Sequence, residues 1–248
     1  MADLSQHDWI VPDWPAPPSV RSFITTRRGG VSRGPYASMN LGSRVADDTE
    51  AVRSNRALLR AHLPEEPRWL RQVHGSDVVE ADEVFSEVEA DGAYTCSARV
   101  VCAVLIADCL PVLLTDRNAT AVAVAHAGWR GLARGIIEAT VAALRVPAGE
   151  LLAYLGPGIG PRAFEVGQDV FDAFVSNDPQ AARAFVPHDR GKWLCDLFAL
   201  ARRRLGAAGV REVYGGGICT YSDPVRFFSH RRDRITGRMA ALIWREPD

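Results

Sequence analysis

Two side chains able to bind a metal or act as a nucleophile stand at the ends of apolar segments in the middle of the chain. Cys109 follows the run 100–106 and Asp108, and His126 follows the run 121–125. Both runs are short and rich in β-branched residues, which predicts strands buried on both faces. If these strands lie side by side, the thiol and the imidazole emerge close together. A soft thiolate and an imidazole in this arrangement suit a zinc ion.

A third ligand is expected, because a catalytic zinc typically has three protein ligands and one open position. His74 is the best candidate, since it stands among polar residues beside a glycine within Arg71-Gln72-Val73-His74-Gly75. His7 and His188 lie in predicted loop or flexible segments. His62 lies near a predicted helix end, where a cation is favourable for a different reason.

Local pattern alone leaves two alternatives to a metal site open. The spacing of the three ligands matches no simple zinc signature, so Cys109 can also be a buried structural cysteine with His126 satisfied by the protein. The second alternative is a nucleophilic pair, in which His74 or His126 lowers the pKa of the Cys109 thiol.

The elements that must position these residues form a mixed pattern along the chain. The predicted strands are 20–26, 100–106, 121–125, 151–155, 210–213 and 239–244. The predicted helices are 48–62, 168–176, 195–208 and one whose inner face carries Leu132, Ile136, Ile137, Thr140, Val141 and Leu144. In helix 48–62, Asp48 or Thr49 is the expected cap, and Val52, Leu58 and Leu59 are expected to face inward. The order predicts a layered α/β fold of the α+β class, with mixed β-sheets flanked by helices.

Composition is that of an ordinary globular protein. The 248 residues are 47% hydrophobic and contain no linker-like stretch, so we predict a single domain over 1–248 with a motif-bearing core of about 20–244. The 29 basic and 30 acidic residues nearly cancel, which argues against a nucleic-acid partner. No signal segment or membrane-spanning run is visible, and five cysteines form no disulfide pattern, so we expect a cytoplasmic protein without a membrane partner.

A series of short motifs occurs in order between about residues 20 and 244. They are residues 26–32, 38–42, 71–75, 107–112, 125–131, 155–161, 164–167, 219–220, 227–233 and 236–238. In content and order they resemble the successive motifs of the laccase-domain family. Members of that family have been called polyphenol oxidases, peptidoglycan editing factors and purine nucleoside phosphorylases that also deaminate adenosine.

The resemblance implies a zinc ion bound by two histidines and a cysteine, which fall on His74, Cys109 and His126. It also implies a purine nucleoside phosphorylase with adenosine deaminase activity, for which zinc would activate water or orient phosphate and substrate. Two positions depart from the family pattern: Arg44 and His230 stand where histidine and tyrosine are common.

Other motif residues are candidates for binding a nucleoside and phosphate. Arg27, Arg44 and Arg130 each offer bidentate donors for phosphate, with a structural ion pair as the alternative. Asn40 offers a donor and an acceptor to a sugar or purine edge, although asparagine there is also an ordinary turn former. Asp91 is a candidate substrate-site carboxylate or partner of a ligating histidine, but Asp-Gly is also a common turn dipeptide.

Three other functions remain as alternatives. The first is a metal-dependent or cysteine-dependent hydrolase that edits peptidoglycan precursors. The second is a copper-dependent polyphenol oxidase, which fits poorly because the chain has only six histidines for several copper sites. The third is a structural metal module, which would need a fourth ligand that the motifs do not supply. The sequence leaves the oligomeric state open between a monomer and a homodimer.

Overall fold

The computed structural model describes residues 7–247, in which short helices and strands follow one another irregularly. The α-helices are α1 (Thr49–Arg60), α2 (Trp129–Arg134), α3 (Ile136–Ala143), α4 (Gln168–Val175), α5 (Leu197–Ala207) and α6 (His230–Asp233). The strands are β1 (Val20–Ile24), β2 (Leu70–Arg71), β3 (Val78–Glu80), β4 (Val88–Glu89), β5 (Gly92–Thr95), β6 (Cys102–Ile106), β7 (Leu110–Asp116), β8 (Val122–Ala127), β9 (Leu151–Leu155), β10 (Glu165–Val166), β11 (Phe185–His188), β12 (Lys192–Cys195), β13 (Glu212–Gly215) and β14 (Met239–Arg245). The predicted α+β class is confirmed. Among these residues no helix is long and apolar enough to cross a bilayer.

The largest sheet has six strands in the order β13-β9-β7-β8-β5-β3. Its strands β7, β8 and β9 are buried along their whole length, as expected for continuous apolar sequences covered on both faces. β7 runs antiparallel to β8 and β9, whereas β13 is parallel to β9 and β3 is parallel to β5. The sheet is therefore mixed. The first residue of β7 lies beside the last residue of β8.

A second sheet, ordered β1-β14-β6, packs against one face of the first. Side chains from both sheets, among them Ile24, Val104 and Val124, share one apolar cluster between them. The opposite face of the large sheet is covered by α2, α3, α4 and α5, and the outer face of the second sheet packs against α1. Two further short sheets, β10-β12-β11 and β2-β4, complete the fold.

Helix α1 shows which part of the helix prediction was right. The Asp48 carboxylate caps its first turn by accepting a hydrogen bond from the Glu50 amide at 3.1 Å. Val52 and Leu59 are buried as predicted, but Leu58 is 45% exposed, so its predicted inward position is wrong. Val52 and Leu59 are seven residues apart and share a helix face, whereas Leu58 is rotated about 100° from Leu59.

The predicted helix beyond residue 128 is two helices. Gly135 adopts φ 95° and separates α2 from α3, although the predicted inner face, from Leu132 to Leu144, is buried throughout. Glycine tolerates this left-handed conformation because it has no Cβ. The break turns α2 so that its first residues lie over the site described below.

Strand β7 was not predicted, and its presence changes the expected pairing. The predicted neighbours at 100–106 and 121–125 correspond to β6 and β8, which lie in different sheets. Between them in sequence, β7 pairs with β8 in the antiparallel sense. The expectation that the two predicted strands pair with each other is therefore wrong.

Candidate metal centre

The antiparallel pairing of β7 and β8 brings Cys109 and His126 together. Leu110 pairs with Ala127, and Pro111 pairs with His126. Cys109 immediately precedes β7, so it stands where β7 begins and β8 ends. The two side chains are neighbours because one strand starts beside the end of the other, and the predicted proximity holds through a strand that was not predicted.

His74 reaches the same place from a tight turn. Its backbone adopts φ 58°, a left-handed conformation that is unusual for a residue with a side chain. The Asp91 carboxylate holds this turn by accepting hydrogen bonds from the amides of Val73 at 3.0 Å, His74 at 3.0 Å and Gly75 at 2.7 Å. Three amides converging on one buried carboxylate fix the direction in which the His74 ring leaves the chain.

The three predicted ligands converge on one point. One ligand atom from each of His74, Cys109 and His126 lies within 4.8 Å of the other two, and the Cys109 Sγ to His74 Nε2 distance is 3.8 Å. His126 is buried, Cys109 is half-buried and His74 is exposed. The cluster is thus closed on the protein side and open toward solvent at His74. Among residues 7–247 it is the one group of three or more histidine, cysteine or acidic side chains close enough to share an ion.

Asp91 also orients His126. Its Oδ1 lies 2.8 Å from His126 Nδ1, and the His126 amide donates to the Asp91 carbonyl at 2.7 Å. Burial alone would raise the pKa of Asp91, but hydrogen bonds from His126 and from the amides of the His74 turn lower it below its usual value. An ionised Asp91 accepts a hydrogen bond from the Nδ1–H of His126 and so makes Nε2 the ring nitrogen that faces the cluster, where a bound metal would take the place of a proton.

The thiol and the buried imidazole stabilise each other's charged forms. Burial acts against the Cys109 thiolate, but the charge and hydrogen bonds of His126, with a smaller effect from His74, outweigh it and bring the pKa of Cys109 to about 6. Burial also acts against a charged His126, and the charge of Cys109 together with the Asp91 hydrogen bond raises the pKa of His126 to about 9. A thiolate is the form of cysteine that binds metals and attacks electrophiles.

The start of α2 closes one side of the cluster. A Cβ on Gly128 would lie 2.8 Å from Cys109 Sγ and 3.1 Å from His74 Cδ2. A Cβ on Gly131 would lie 2.7 Å from the Gly75 carbonyl oxygen. Glycines at both positions therefore let α2 approach the ligands more closely than a larger residue permits, which gives a structural reason for the motif at residues 125–131.

Asp108 secures the residue before the cysteine ligand. It adopts φ 87°, and its buried carboxylate accepts hydrogen bonds from Thr220 Oγ1 at 2.6 Å, Ser229 Oγ at 3.0 Å and the Arg231 amide at 2.7 Å. The motifs at residues 219–220 and 227–233, both more than a hundred residues away in sequence, are thereby tied to the turn that carries Cys109. Nothing in the local sequence indicates that these motifs meet Asp108.

Asn40 and Asp91 do not face an open site. Asn40 is fully buried; its Nδ2 donates to Asp47 Oδ2 at 2.8 Å, and its Oδ1 accepts from the amides of Gly42 at 3.0 Å and Arg238 at 2.8 Å. Asp91 is also fully buried and lies behind the ligands. In the structure Asn40 holds two loops together and Asp91 positions two histidines, and a contact of either side chain with substrate stays a prediction.

The three candidate arginines lie in different surroundings. Arg44 forms an exposed ion pair with Glu87, with Nη2 to Oε2 at 2.6 Å. Arg27 donates to the carbonyls of Ala37 and Pro224 and stacks on a phenylalanine ring. Both are thus engaged by the protein, Arg44 through an ion pair of the kind that the structural alternative predicted and Arg27 through carbonyl groups instead. Arg130 is exposed, and its guanidinium lies 4.4 Å from the centre of the Trp129 ring, four residues after His126.

Two surface clefts lie elsewhere. One of about 860 Å³ is lined by the segment 11–23, by residues 61–64 and by Trp244, and another of about 450 Å³ is lined mainly by α1. Neither borders the three ligands. Asn40 lines neither cleft.

The residues present fit a zinc ion. A thiolate with two imidazoles is a donor set that zinc favours, and the three ligand atoms lie within 4.8 Å of one another. The buried carboxylate behind His126 is the usual partner of a metal-bound histidine. His74, Cys109 and His126 would hold the ion, and the exposed side would leave a coordination position open.

Comparison with known proteins places the chain in a family. A family model described as multi-copper polyphenol oxidoreductase laccase matches residues 21–246, and the chain belongs to this family. A Pseudomonas aeruginosa relative named purine nucleoside phosphorylase is 54% identical over 237 residues, covering 95% of this chain and 98% of the relative. Purine nucleoside phosphorylase YfiH of Escherichia coli is 49% identical, with 95% and 98% covered.

Solved structures share the fold. A Neisseria meningitidis protein superposes with a TM-score of 0.94 at 52% identity, covering 97% of this chain and all of that one. YlmD from Geobacillus stearothermophilus superposes with a TM-score of 0.90 at 34% identity, covering 96% of each chain. The resemblance to the laccase-domain family is thereby confirmed along nearly the whole chain.

Proposed function

We propose that this protein is a zinc-dependent purine nucleoside phosphorylase, which cleaves adenosine, inosine or guanosine with phosphate and also deaminates adenosine. The observation that carries the proposal is the convergence of His74, Cys109 and His126 into one open three-ligand cluster. The names of the close relatives supply the substrate class. The family's description refers to several coppers, whereas the described residues bring together one ligand group, which favours a single ion.

In the phosphorolysis, an oxygen of phosphate forms a bond to C1′ of the ribose as the bond from C1′ to N9 of the purine breaks. The bonding electron pair leaves with the purine, which takes a proton from phosphate or solvent. The products are ribose 1-phosphate and the free base. Zinc, when bound, supplies a Lewis acid that orients and polarises an oxygen of the substrates.

The chain's own residues prepare the site in three ways. The Asp91 carboxylate holds His126 through its ring nitrogen and His74 through the backbone amides of its turn. The glycine-rich start of α2 keeps the protein side of the cluster closed. Arg130, exposed beside Trp129, is a cation placed four residues after a ligand, where it can attract phosphate.

The test compares wild type with Cys109→Ala and His126→Ala. We expect wild type to convert inosine to hypoxanthine in phosphate buffer and adenosine to adenine and inosine. Both variants should lose bound zinc and at least about a hundredfold in turnover while still unfolding cooperatively, because Cys109→Ala removes a ligand and little packed volume. Bound zinc per chain, product chromatography and thermal unfolding are the measurements. A cell-wall dipeptide precursor assayed in parallel tests the hydrolase alternative, and turnover that persists without zinc would place the chemistry elsewhere.

A further inference from the structure

Arg238 lies beside the segment that carries the cysteine ligand. It immediately precedes β14, whose first residue Met239 pairs with Ile106, the last residue of β6. Continuing the antiparallel register places Arg238 opposite Ala107, two residues before Cys109. Arg238 therefore lies just before the first residue of β14, close to the turn that carries Cys109.

The backbone of Arg238 is held in place on both sides. Its amide donates to Asn40 Oδ1 at 2.8 Å, and its carbonyl accepts from the Leu41 amide at 3.0 Å. A Cβ on Gly42 would lie 2.8 Å from Arg238 Cγ, so the side-chain stem runs directly over that glycine. The buried Asn40 and the small Gly42 thus hold and direct this one arginine.

The guanidinium lacks a carboxylate within ion-pairing distance among the described residues. Nη1 donates to the carbonyls of Thr236 at 3.0 Å and Gly237 at 2.9 Å, and neither Nη2 nor Nε donates to a protein group described by the structure. Two donors of a planar fork are therefore available to an external anion. Arg44 differs, because Glu87 already neutralises it.

The charge of Arg238 interacts with negative groups at the cluster. Burial lowers the pKa of Arg238, and the nearby negative groups of Cys109 and Asp108 oppose that effect. A partly desolvated guanidinium without a direct counter-ion gains from a bound anion, since hydrogen bonds between charged partners are stronger than those between neutral ones.

We propose that Arg238 binds the phosphate co-substrate beside the metal ligands, with its Nε and Nη2 donors directed at two phosphate oxygens. The proposal rests on the phosphorylase function proposed above and names a residue that the sequence analysis did not select. Arg238 orients phosphate through two parallel hydrogen bonds, as arginine does where planar recognition of an oxyanion is needed.

The experiment compares wild type with Arg238→Lys and Arg238→Met. Arg203→Met is the matched control, because Arg203 forms an exposed ion pair with Asp178 on the helical side of the large sheet. Inosine phosphorolysis is measured with phosphate varied at saturating inosine, and with inosine varied at saturating phosphate. Bound zinc and the unfolding temperature are recorded for every variant.

We expect KM for phosphate to rise about 10- to 100-fold in Arg238→Met, because one or two charge-assisted hydrogen bonds to phosphate are lost. KM for inosine and bound zinc should stay within about twofold. Arg238→Lys should lie between wild type and Arg238→Met, since it keeps the charge but not the fork. Arg203→Met should match wild type.

A KM for phosphate within twofold of wild type in Arg238→Met overturns the inference, and so does a loss of activity that tracks loss of zinc or of folding in both Arg238 variants. If wild type itself does not cleave inosine, the proposed function fails, and calorimetric titration with inorganic phosphate decides about Arg238 separately. Phosphate binding that weakens at least tenfold in Arg238→Met then supports the anion site. Equal binding, or none in wild type, rejects it.

Discussion

Asp91 connects two ligands that are far apart in the sequence. Its carboxylate accepts the Nδ1 hydrogen bond of His126 and three amide hydrogen bonds of the His74 turn. A ligating histidine gains basicity and a fixed ring direction from such a partner. The Asp91 carboxylate therefore positions two side chains of the proposed metal centre from behind them.

Replacing Asp91 with asparagine should weaken zinc binding by about 10- to 100-fold, the range found when the carboxylate partner of a ligating histidine is lost. The amide group cannot accept from as many donors and holds the His74 turn less firmly. A competitive chelator titration measures the affinity. Arg238 and the ligands themselves are unchanged in this variant.

Asp116→Asn is the matched control. Asp116 is also buried, and its carboxylate accepts from the amides of Asn118, Thr120 and Ala121 in a turn at the far end of β7. Both variants should lose thermal stability, but only Asp91→Asn should lose zinc affinity. Equal zinc affinities in the two variants would mean that Asp91 serves the fold alone.

At the scale of secondary structure, the site depends on how closely α2 approaches the β7–β8 edge. The Cβ of an alanine at position 128 would stand 2.8 Å from Cys109 Sγ, which is closer than a carbon and a sulfur atom can pack. Either the start of α2 or the Cys109 side chain must then shift. The glycine therefore allows the start of α2 to lie directly against Cys109 and His74.

Gly128→Ala should reduce zinc affinity by roughly tenfold or more, comparable to the loss of a group that supports a ligand. Gly149→Ala is the control, because a Cβ there meets nothing within 4 Å and Gly149 has no positive φ. Metal content after dialysis against a weak chelator distinguishes the two variants. Full zinc retention in Gly128→Ala would contradict the close-packing argument.

The sequence predicted elements more reliably than their pairing. β1, β9 and α5 lie within a few residues of their predicted positions, because each has a clear apolar pattern and an end signal. β7 was missed since Pro111 weakens a strand assignment. The strand tolerates this proline because it is near the start, where pairing with β9 begins only at Val112.

The convergence of His74, Cys109 and His126 was predicted correctly, by residue type and by resemblance, but the residues that support them were not predicted. Asp91 forms part of an ordinary turn dipeptide, and its bonds to residues 73–75 and 126 exist only in the folded chain. Arginines were selected because each stands in a motif near glycine, yet Arg238 also follows a glycine and was passed over. Arg238 differs from Arg44 in being more buried and in having no carboxylate partner among the described residues. Neither property can be derived from the local sequence.

The proposed metal centre brings together three segments that are distant in the sequence. His74 lies between β2 and β3, Cys109 precedes β7, and His126 is in β8. An ion that binds all three is bound only by the folded protein, so it stabilises the native state by mass action. Removing it should therefore lower the stability of the entire domain.

Treating the zinc-loaded protein with a strong chelator should lower the unfolding temperature by about 5–10 °C. The estimate combines about 2.7 kcal/mol for a ligand at a hundred times its Kd with about 2–4 °C per kcal/mol for a domain of this size. Differential scanning calorimetry measures the shift. The chelator should hardly change the unfolding temperature of Cys109→Ala. A shift equal to that of the wild type would indicate that the chelator acts elsewhere.

The position of β14 has a consequence for how the protein is made. β14 lies between β1 and β6, so β1 acquires its strand partner only from residues 239–245. At a synthesis rate of about 5–20 residues per second, residues 20–24 precede that partner by roughly 10–45 s. During this interval β1 lacks its partner in the second sheet, and the emerging chain lacks Arg238. The second sheet and the complete site can therefore form only near the end of translation, and until then the strand edges of β1 and β6 that β14 later covers can pair with other chains.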